Sequence, residues 1–271
     1  MKLAKALEFV KSVPYNVSTR WDFYQMVQFA GLTKKDYDSF KKWTARARKR
    51  FYNGWSPDTL IDDTRAIEHH GSGLDNVEQW LERLKKQRPY FDKNTNQKVI
   101  VQVWFEAKAM TGQFRHYCSP YHVALVPFGG DASIHHKWTI AKHLEKLARW
   151  YPGKPIAIKY FGDLDSKGVE IPENALKDIR AWCSVPFKFE RVGLELEHIK
   201  RWNLPDNPEK PSQYQWEALP DEGAKEIILG ALAPLIDTGK IKRVQEREDR
   251  VHKRWCEALD GIKLEGEADR T

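Results

Sequence analysis

The spacing of apolar residues changes along the chain, and the change predicts two kinds of structure. Over the first third, apolar residues recur every three or four positions, as at Leu3 and Leu7, which is the period of an amphipathic helix. Pro14 ends this first helix. Further helices are predicted over residues 20–30, 34–52 and 74–87. Short helices with a Gly/Pro-rich segment at residues 54–57 fit a helix-turn-helix or winged-helix module.

From residue 99 the pattern becomes that of β-strands alternating with helices. Compact β-branched and aromatic runs, each followed by a helical pattern, are typical of a mostly parallel α/β sheet. Strands are predicted over residues 99–105, 121–126, 155–161 and 187–192, and helices over residues 133–150, 173–182 and 221–259. We therefore expect a winged-helix-like domain with its linker over residues 1–95, and an α/β domain with a C-terminal helical extension over residues 96–271.

Composition narrows the class of protein. No apolar run approaches the ~20 residues that span a bilayer, and the amphipathic start lacks the apolar core of a secretory signal, so we expect no membrane association. Three widely spaced cysteines argue against a disulfide framework and for a reducing compartment. His116 lies near Cys118, but no second ligand pair has the spacing of a zinc site. These features predict a cytoplasmic or nucleoid-associated protein.

The charge distribution suggests a polyanionic partner. The net charge is +7, and residues 1–97 carry 18 Lys and Arg against 12 Asp and Glu. Eight basic residues and only two acidic ones fall between Lys34 and Arg50, on the third predicted helix. The candidate phosphate-binding residues in this cluster are Lys41, Lys42, Arg46, Arg48, Lys49 and Arg50. The alternative is a solvated helix face with no ligand.

Acidic residues follow two of the predicted strands at their C-terminal ends. Glu106 comes directly after the strand at residues 99–105, and Asp163 and Asp165 follow the strand at residues 155–161 across a single glycine. Ligands of open parallel sheets bind beyond these strand ends, and Mg²⁺ prefers oxygen ligands such as carboxylates. The three carboxylates together predict a Mg²⁺ site, although each acid taken singly could be a helix cap or turn residue.

The same residues resemble a known domain. The strand with Glu106, a Gly-bearing turn at residues 129–130 and the segment Tyr160–Gly168 (YFGDLDSKG) are together similar to the TOPRIM domain of topoisomerases, primases and some nucleases. The last segment is close to the form found in type IIB topoisomerase A subunits and their phage-type relatives. Further likenesses to that group lie at residues 104–110 (WFEAKAM), 203–205 (NLP) and 217–220 (EALP). The resemblance covers about residues 98–225 and implies a Rossmann-like, mostly parallel sheet.

The helical part carries a second likeness. Residues 18–24 (STRWDFY) resemble the Arg-x-x-Tyr/Phe-Tyr stretch in the winged-helix domain of topoisomerase VI A subunits and of the meiotic double-strand-break protein. In that family the last tyrosine attacks a DNA phosphate and stays attached to the 5′ end. The resemblance implies that Tyr24 is the nucleophile, with Arg20 one helical turn before it on the same face. The alternative is that Tyr24 is an ordinary core aromatic of an amphipathic helix.

Together these likenesses imply a Mg²⁺-dependent enzyme that cleaves double-stranded DNA through a 5′-phosphotyrosyl link. The family architecture implies a homodimer in which the tyrosine of one protomer meets the metal site of the other. The sequence has no Gly-rich phosphate loop, so ATP-driven strand passage would need a separate ATPase B-type subunit. Two alternatives stay open: a TOPRIM nuclease that hydrolyses DNA with metal-activated water, and a non-catalytic DNA-binding or assembly factor.

Overall fold

The computed structural model describes residues 2–60, 76–130, 132–205 and 213–262. Its central feature is a four-stranded sheet in which all strands are parallel. The strands are β1 (Ile100–Phe105), β2 (Ala124–Pro127), β3 (Ile156–Phe161) and β4 (Phe187–Gly193), in the spatial order β2-β1-β3-β4. In the centre, Ile100 pairs with Ile156 and Phe105 with Phe161. This register brings the C-terminal ends of β1 and β3 to the same edge of the sheet. The predicted α/β class is confirmed.

Helices cover the sheet on both faces. The helices of this part are α5 (Thr111–Cys118), α6 (Ile134–Trp150), α7 (Ser166–Trp182), α8 (Leu196–Trp202) and α9 (Asp221–Leu232). On one face, Trp104 and Ile158 lie in a buried cluster with Leu144 of α6 and Ile179 of α7. On the other face, Phe105 stacks on Phe114 of α5, with ring centroids 4.3 Å apart. Because β1 and β3 are buried on both faces, their sequences are mostly apolar rather than alternating, with one buried polar residue in each, Gln102 and Lys159.

Three helices precede the sheet: α1 (Lys2–Ser12), α2 (Thr19–Ala30) and α3 (Tyr37–Lys49). Ser18 caps α2 by accepting a hydrogen bond from the backbone N of Trp21, and Gly31 ends it in the left-handed region at φ = 68°. Gln25 of α2 donates from Nε2 to the carbonyl O of Glu217 at 3.4 Å and of Leu219 at 3.3 Å. These hydrogen bonds fix α2 against the 3₁₀ turn Trp216–Ala218.

The chain divides into two compact units. The first comprises residues 1–66 and 98–236, so that α1–α3 belong with the sheet, and the second comprises residues 67–97 and 237–271. The second unit contains α4 (Val77–Lys86) and α10 (Thr238–Asp260), which pack against each other. The division predicted at residue 95/96 falls close to the junction at 97/98, but it groups residues 1–66 and 237–271 differently. Among the described residues, none of the helices combines the length and apolar character needed to cross a bilayer.

Three predicted helix boundaries are wrong. Helix α7 begins at Ser166 rather than near residue 173, because Asp165 caps its N-terminus by accepting a hydrogen bond from Gly168 N at 2.6 Å, and Pro172 is tolerated inside the helix. The helical stretch predicted over residues 221–259 is interrupted and forms two helices, because Pro234 follows α9 and Asp237 caps α10. The basic helix is shorter than predicted, since residues 34–36 form a 3₁₀ turn.

Candidate functional site

Acidic residues gather at the C-terminal edge of β1 and β3. Glu106 directly follows β1, and its Oε2 accepts a hydrogen bond from the backbone N of Asp163 at 3.3 Å. Asp163 is only 8% exposed, and its Oδ1 accepts a hydrogen bond from the backbone N of Trp216 at 2.8 Å. Asp165 is half-buried at the N-cap of α7. The structure thus brings the three predicted carboxylates to one edge of the sheet.

Close backbone approaches shape this edge. A Cβ on Gly168 would lie 2.1 Å from the carbonyl O of Asp163, and a Cβ on Gly162 would lie 3.0 Å from Oε2 of Glu106. Arg191 of β4 adds a brace, since its Nη2 donates to the carbonyl O of Asp163 at 2.7 Å. Glycine is therefore required at position 168 because any side chain would displace the turn that carries the two aspartates.

Burial and neighbouring negative charges raise the pKa values of two of these carboxylates. Burial raises the pKa of Glu106, a hydrogen bond from Asp163 N opposes the shift, and the charges of Asp165 and Glu217 add to it. Burial likewise raises the pKa of Asp163 well above its usual range, and the charges of Glu217 and Glu106 raise it further. Like charges in a poorly hydrated site favour the protonated form. A cation bound among them would favour the ionised form instead.

Glu217 is a fourth carboxylate near this edge, and it was not among the predicted site residues. Its side chain is 1% exposed, and its Oε2 is buried with no hydrogen-bond partner among the described residues. Its Oε1 lies 3.3 Å from Nε of Arg20. The only sequence signal was the likeness at residues 217–220, which marks the position but does not show what the carboxylate contacts.

Helix α2 brings Arg20 and Tyr24 to the carboxylates of their own chain. The Arg20 guanidinium pairs with Glu217 and lies 6.0 Å from the centroid of the Tyr24 ring. The negative charge of Glu217 raises the pKa of Arg20, so its side chain stays charged. The spacing of one helical turn between Arg20 and Tyr24 is as predicted, and their position beside the acidic edge follows from the packing of α2 on the turn Trp216–Ala218.

Tyr24 itself is buried, with 6% of its surface exposed. Burial raises its pKa to about 12, the charge and hydrogen bond of Arg20 oppose this shift, and the charges of Glu217 and Asp163 add to it. A second cation, Nζ of Lys34, lies 5.2 Å from the ring centroid. The burial agrees with a core aromatic, whereas the charged neighbours agree with a reactive hydroxyl.

The side chains of this edge offer the oxygen ligands that Mg²⁺ prefers, but they do not form a complete coordination shell. Among the described residues, no three His, Cys, Asp or Glu side chains form a group that could hold a metal ion as they stand. The oxygen-only donor set nevertheless suits a hard divalent cation. Two buried oxygens beside the carboxylates, Oε2 of Glu217 and the hydroxyl of Tyr160, have no hydrogen-bond partner in the described part of the chain. A hydrated cation would supply partners to both.

The predicted basic cluster lies on α3 and at its C-terminal end. Its exposed members are Lys41, Lys42, Arg46, Lys49 and Arg50. Lys41 forms an ion pair with Asp38 at 2.8 Å. Arg48 differs from the others, because it is half-buried and its Nη1 donates to the carbonyl O of Leu60 at 3.0 Å. Five of the six predicted residues are therefore exposed, and Arg48 braces the segment that follows α3.

Comparison with models of known protein families, with curated proteins and with solved structures gives no match. A functional assignment for this site therefore depends on its geometry and on the sequence motifs.

Proposed function

We propose that the protein cleaves double-stranded DNA in a Mg²⁺-dependent reaction at the acidic edge of the sheet, with Tyr24 as the nucleophile. The ion pair between Arg20 and Glu217 carries this proposal, because it joins the helix that bears Tyr24 to the carboxylates of Glu106 and Asp163. A hydroxyl nucleophile, a guanidinium and several carboxylates in one poorly hydrated site are the groups that phosphoryl transfer uses.

Each side chain has a definite role in this reaction. A Mg²⁺ ion held by Glu106, Asp163 and Asp165 would withdraw charge from the scissile phosphate. The hydroxyl oxygen of Tyr24 attacks phosphorus, the bond from phosphorus to the 3′ oxygen breaks, and the phenolic proton ends on that leaving oxygen. Arg20 stabilises the negative charge on the phenolate and on the phosphoryl oxygens, because its guanidinium is already held beside Tyr24.

The metal-dependent part is tested by nicking of supercoiled plasmid in Mg²⁺ and in EDTA. Asp163→Asn and Glu106→Gln should each lower the Mg²⁺-dependent rate by about 10²–10³-fold, a loss typical of groups that stabilise transition-state charge. Glu173→Gln is the matched control, because Glu173 is exposed on α7 away from the acidic edge. Wild-type rates in the Asp163 and Glu106 variants would overturn the proposed site. A wild-type protein that binds DNA but never cleaves it would indicate a binding or assembly factor.

Hydrolysis without a covalent step is the second candidate, and the burial of Tyr24 favours it. A ring that is 6% exposed, with a pKa of about 12, is poorly prepared to meet duplex DNA as a phenolate. In this case a metal-activated water replaces the tyrosine as nucleophile, and the same carboxylates hold the metal. Tyr24→Phe separates the two candidates, since it removes the hydroxyl and keeps the ring.

A further inference from the structure

Helix α10, in the second compact unit, is the longest described helix and has two unlike faces. It carries seven basic and five acidic residues. Ile241 and Leu259 are the buried apolar residues of α10, and the helix packs against α4. The indole Nε1 of Trp255 donates to the carbonyl O of Leu84 at 3.3 Å. The large apolar residues that stay exposed on α10 are Val251 and Trp255.

Most of the acidic residues of α10 are neutralised by this unit. Glu248 pairs with Lys93, and Asp249 pairs with Arg88. Asp260, at the end of the helix, pairs with Lys85 at 2.7 Å. These ion pairs remove three of the five acidic side chains from the charge that the helix presents to a ligand.

The opposite face of α10 carries an arginine stripe, which consists of Arg243, Arg247, Arg250 and Arg254. Spacings of four, three and four residues put these side chains in one row, roughly 16 Å long at 1.5 Å per residue. All four are exposed, and within the described ranges none forms an ion pair with a carboxylate. The Arg247 guanidinium also lies 4.5 Å from the centroid of the Phe91 ring.

The chemistry of the stripe selects among possible partners. The three-and-four spacing is that of a coiled-coil seam, but four arginines there exclude an apolar helical partner. A membrane-surface helix needs a broad free apolar face, whereas α10 exposes only two large apolar side chains, Val251 and Trp255. A linear array of guanidinium groups instead matches a linear array of phosphates, which guanidinium binds with two parallel hydrogen bonds.

We propose that the arginine stripe binds the phosphate backbone of duplex DNA, as a DNA-contacting surface additional to α3. Duplex DNA carries one negative charge per roughly 1.7 Å of its axis, so a row of this length meets several phosphates. The inference concerns binding alone and stands whether or not the protein cleaves DNA.

The test is fluorescence anisotropy of the full-length chain on a duplex DNA of about 30 base pairs, in EDTA, over a series of salt concentrations. Arg250→Gln/Arg254→Gln should flatten the slope of log Kd against log salt by about 1.8, at about 0.9 per lost phosphate contact. Lys242→Gln/Lys253→Gln is the matched control, because these two exposed lysines lie on another face of α10, about 90° away. Its slope should change little.

Other outcomes are equally decisive. Equal flattening by both double variants would overturn the proposal, since it would show a response to net charge and not to the stripe. An unchanged slope in the arginine variant would overturn it as well. Stronger binding to duplex RNA or to anionic vesicles, lost in the arginine variant while DNA binding persists, would assign the stripe to another polyanion. Circular dichroism should show the same helix content in both variants, because the replaced residues are exposed.

Discussion

Arg20 has two partners of different kinds, a carboxylate and a tyrosine ring. Its proximity to Tyr24 could be predicted from the sequence, because residues four apart on a helix lie on one face. Its pairing with Glu217 could not, because Glu217 lies in a short turn far along the chain and is positioned by tertiary packing. The sequence motifs therefore predicted the site residues that lie within them, but they did not predict that Glu217 pairs with Arg20 and so connects α2 to the acidic edge.

Asp22, also on α2, has a buried carboxyl group that no described contact stabilises. It is fully buried, and neither carboxylate oxygen has a hydrogen-bond partner among the described residues. Burial raises its pKa from 3.8 to about 8. The pKa in the folded protein lies above that in the unfolded chain, so Asp22 lowers the free energy of unfolding progressively as the pH rises from about 4 to about 8.

Asp22→Asn should therefore stabilise the protein. We expect a gain of about 2–4 kcal/mol in the free energy of unfolding at pH 7, because the variant avoids a penalty of about 1.4 kcal/mol per pKa unit. The gain should fall to about 0.5 kcal/mol near pH 4, where the carboxyl is protonated in the folded protein but only about half protonated in the unfolded chain, whose pKa is 3.8. Urea unfolding at pH 4 and pH 7 measures both values. A variant no more stable than wild type at pH 7 would show that Asp22 has a partner in solution.

Whole elements were easier to predict than their ends. β1 and β3 were predicted to within one residue, because strands buried on both faces are mostly apolar runs with clear limits. The start of α7 was predicted seven residues late, because the cap of Asp165 and packing on the sheet impose a helix across Gly168 and Pro172. At this helix start, tertiary contacts outweigh the low helix propensity of glycine and proline.

Helix α3 supports a prediction about DNA affinity. Lys42, Arg46 and Lys49 lie at positions i, i+4 and i+7, on an exposed face of the helix. Their replacement by Gln should flatten the salt dependence of DNA binding by about 2.7 in log–log slope, at about 0.9 per phosphate contact. Arg48→Gln is the control. It should leave the slope unchanged and lower the thermal midpoint, because Arg48 braces Leu60. A triple variant with the wild-type slope would show that α3 contacts no DNA.

The position of Tyr24 bears on whether one chain or two supply the residues of a single active site. The family resemblance implies a dimer whose tyrosine acts in trans. Within this structure, Tyr24 lies beside Arg20 and is already influenced by the charges of Glu217 and Asp163 of the same chain. We therefore expect each chain to use its own tyrosine, whether or not two chains associate to break both strands.

Mixing two inactive variants tests this expectation. If sites form within one chain, equal amounts of Tyr24→Phe and Asp163→Asn protein, refolded together, should remain inactive, because neither chain then has both groups. A trans arrangement would restore cleavage, since a mixed dimer contains one intact site. Size-exclusion chromatography of the mixture shows whether dimers are present. Recovered activity in the dimer fraction would contradict the arrangement within one chain.

The role of Tyr24 as nucleophile is tested most directly by trapping the protein on DNA. Duplex DNA labelled at its 3′ ends is incubated with protein and Mg²⁺ and then denatured in detergent. Wild-type protein should yield labelled DNA covalently attached to the chain, as should Tyr52→Phe, a control at an exposed tyrosine. Tyr24→Phe should bind DNA normally and give neither adduct nor cleavage. Cleavage by Tyr24→Phe at the wild-type rate and without an adduct would contradict the role of Tyr24 as nucleophile and would make the protein a hydrolytic nuclease.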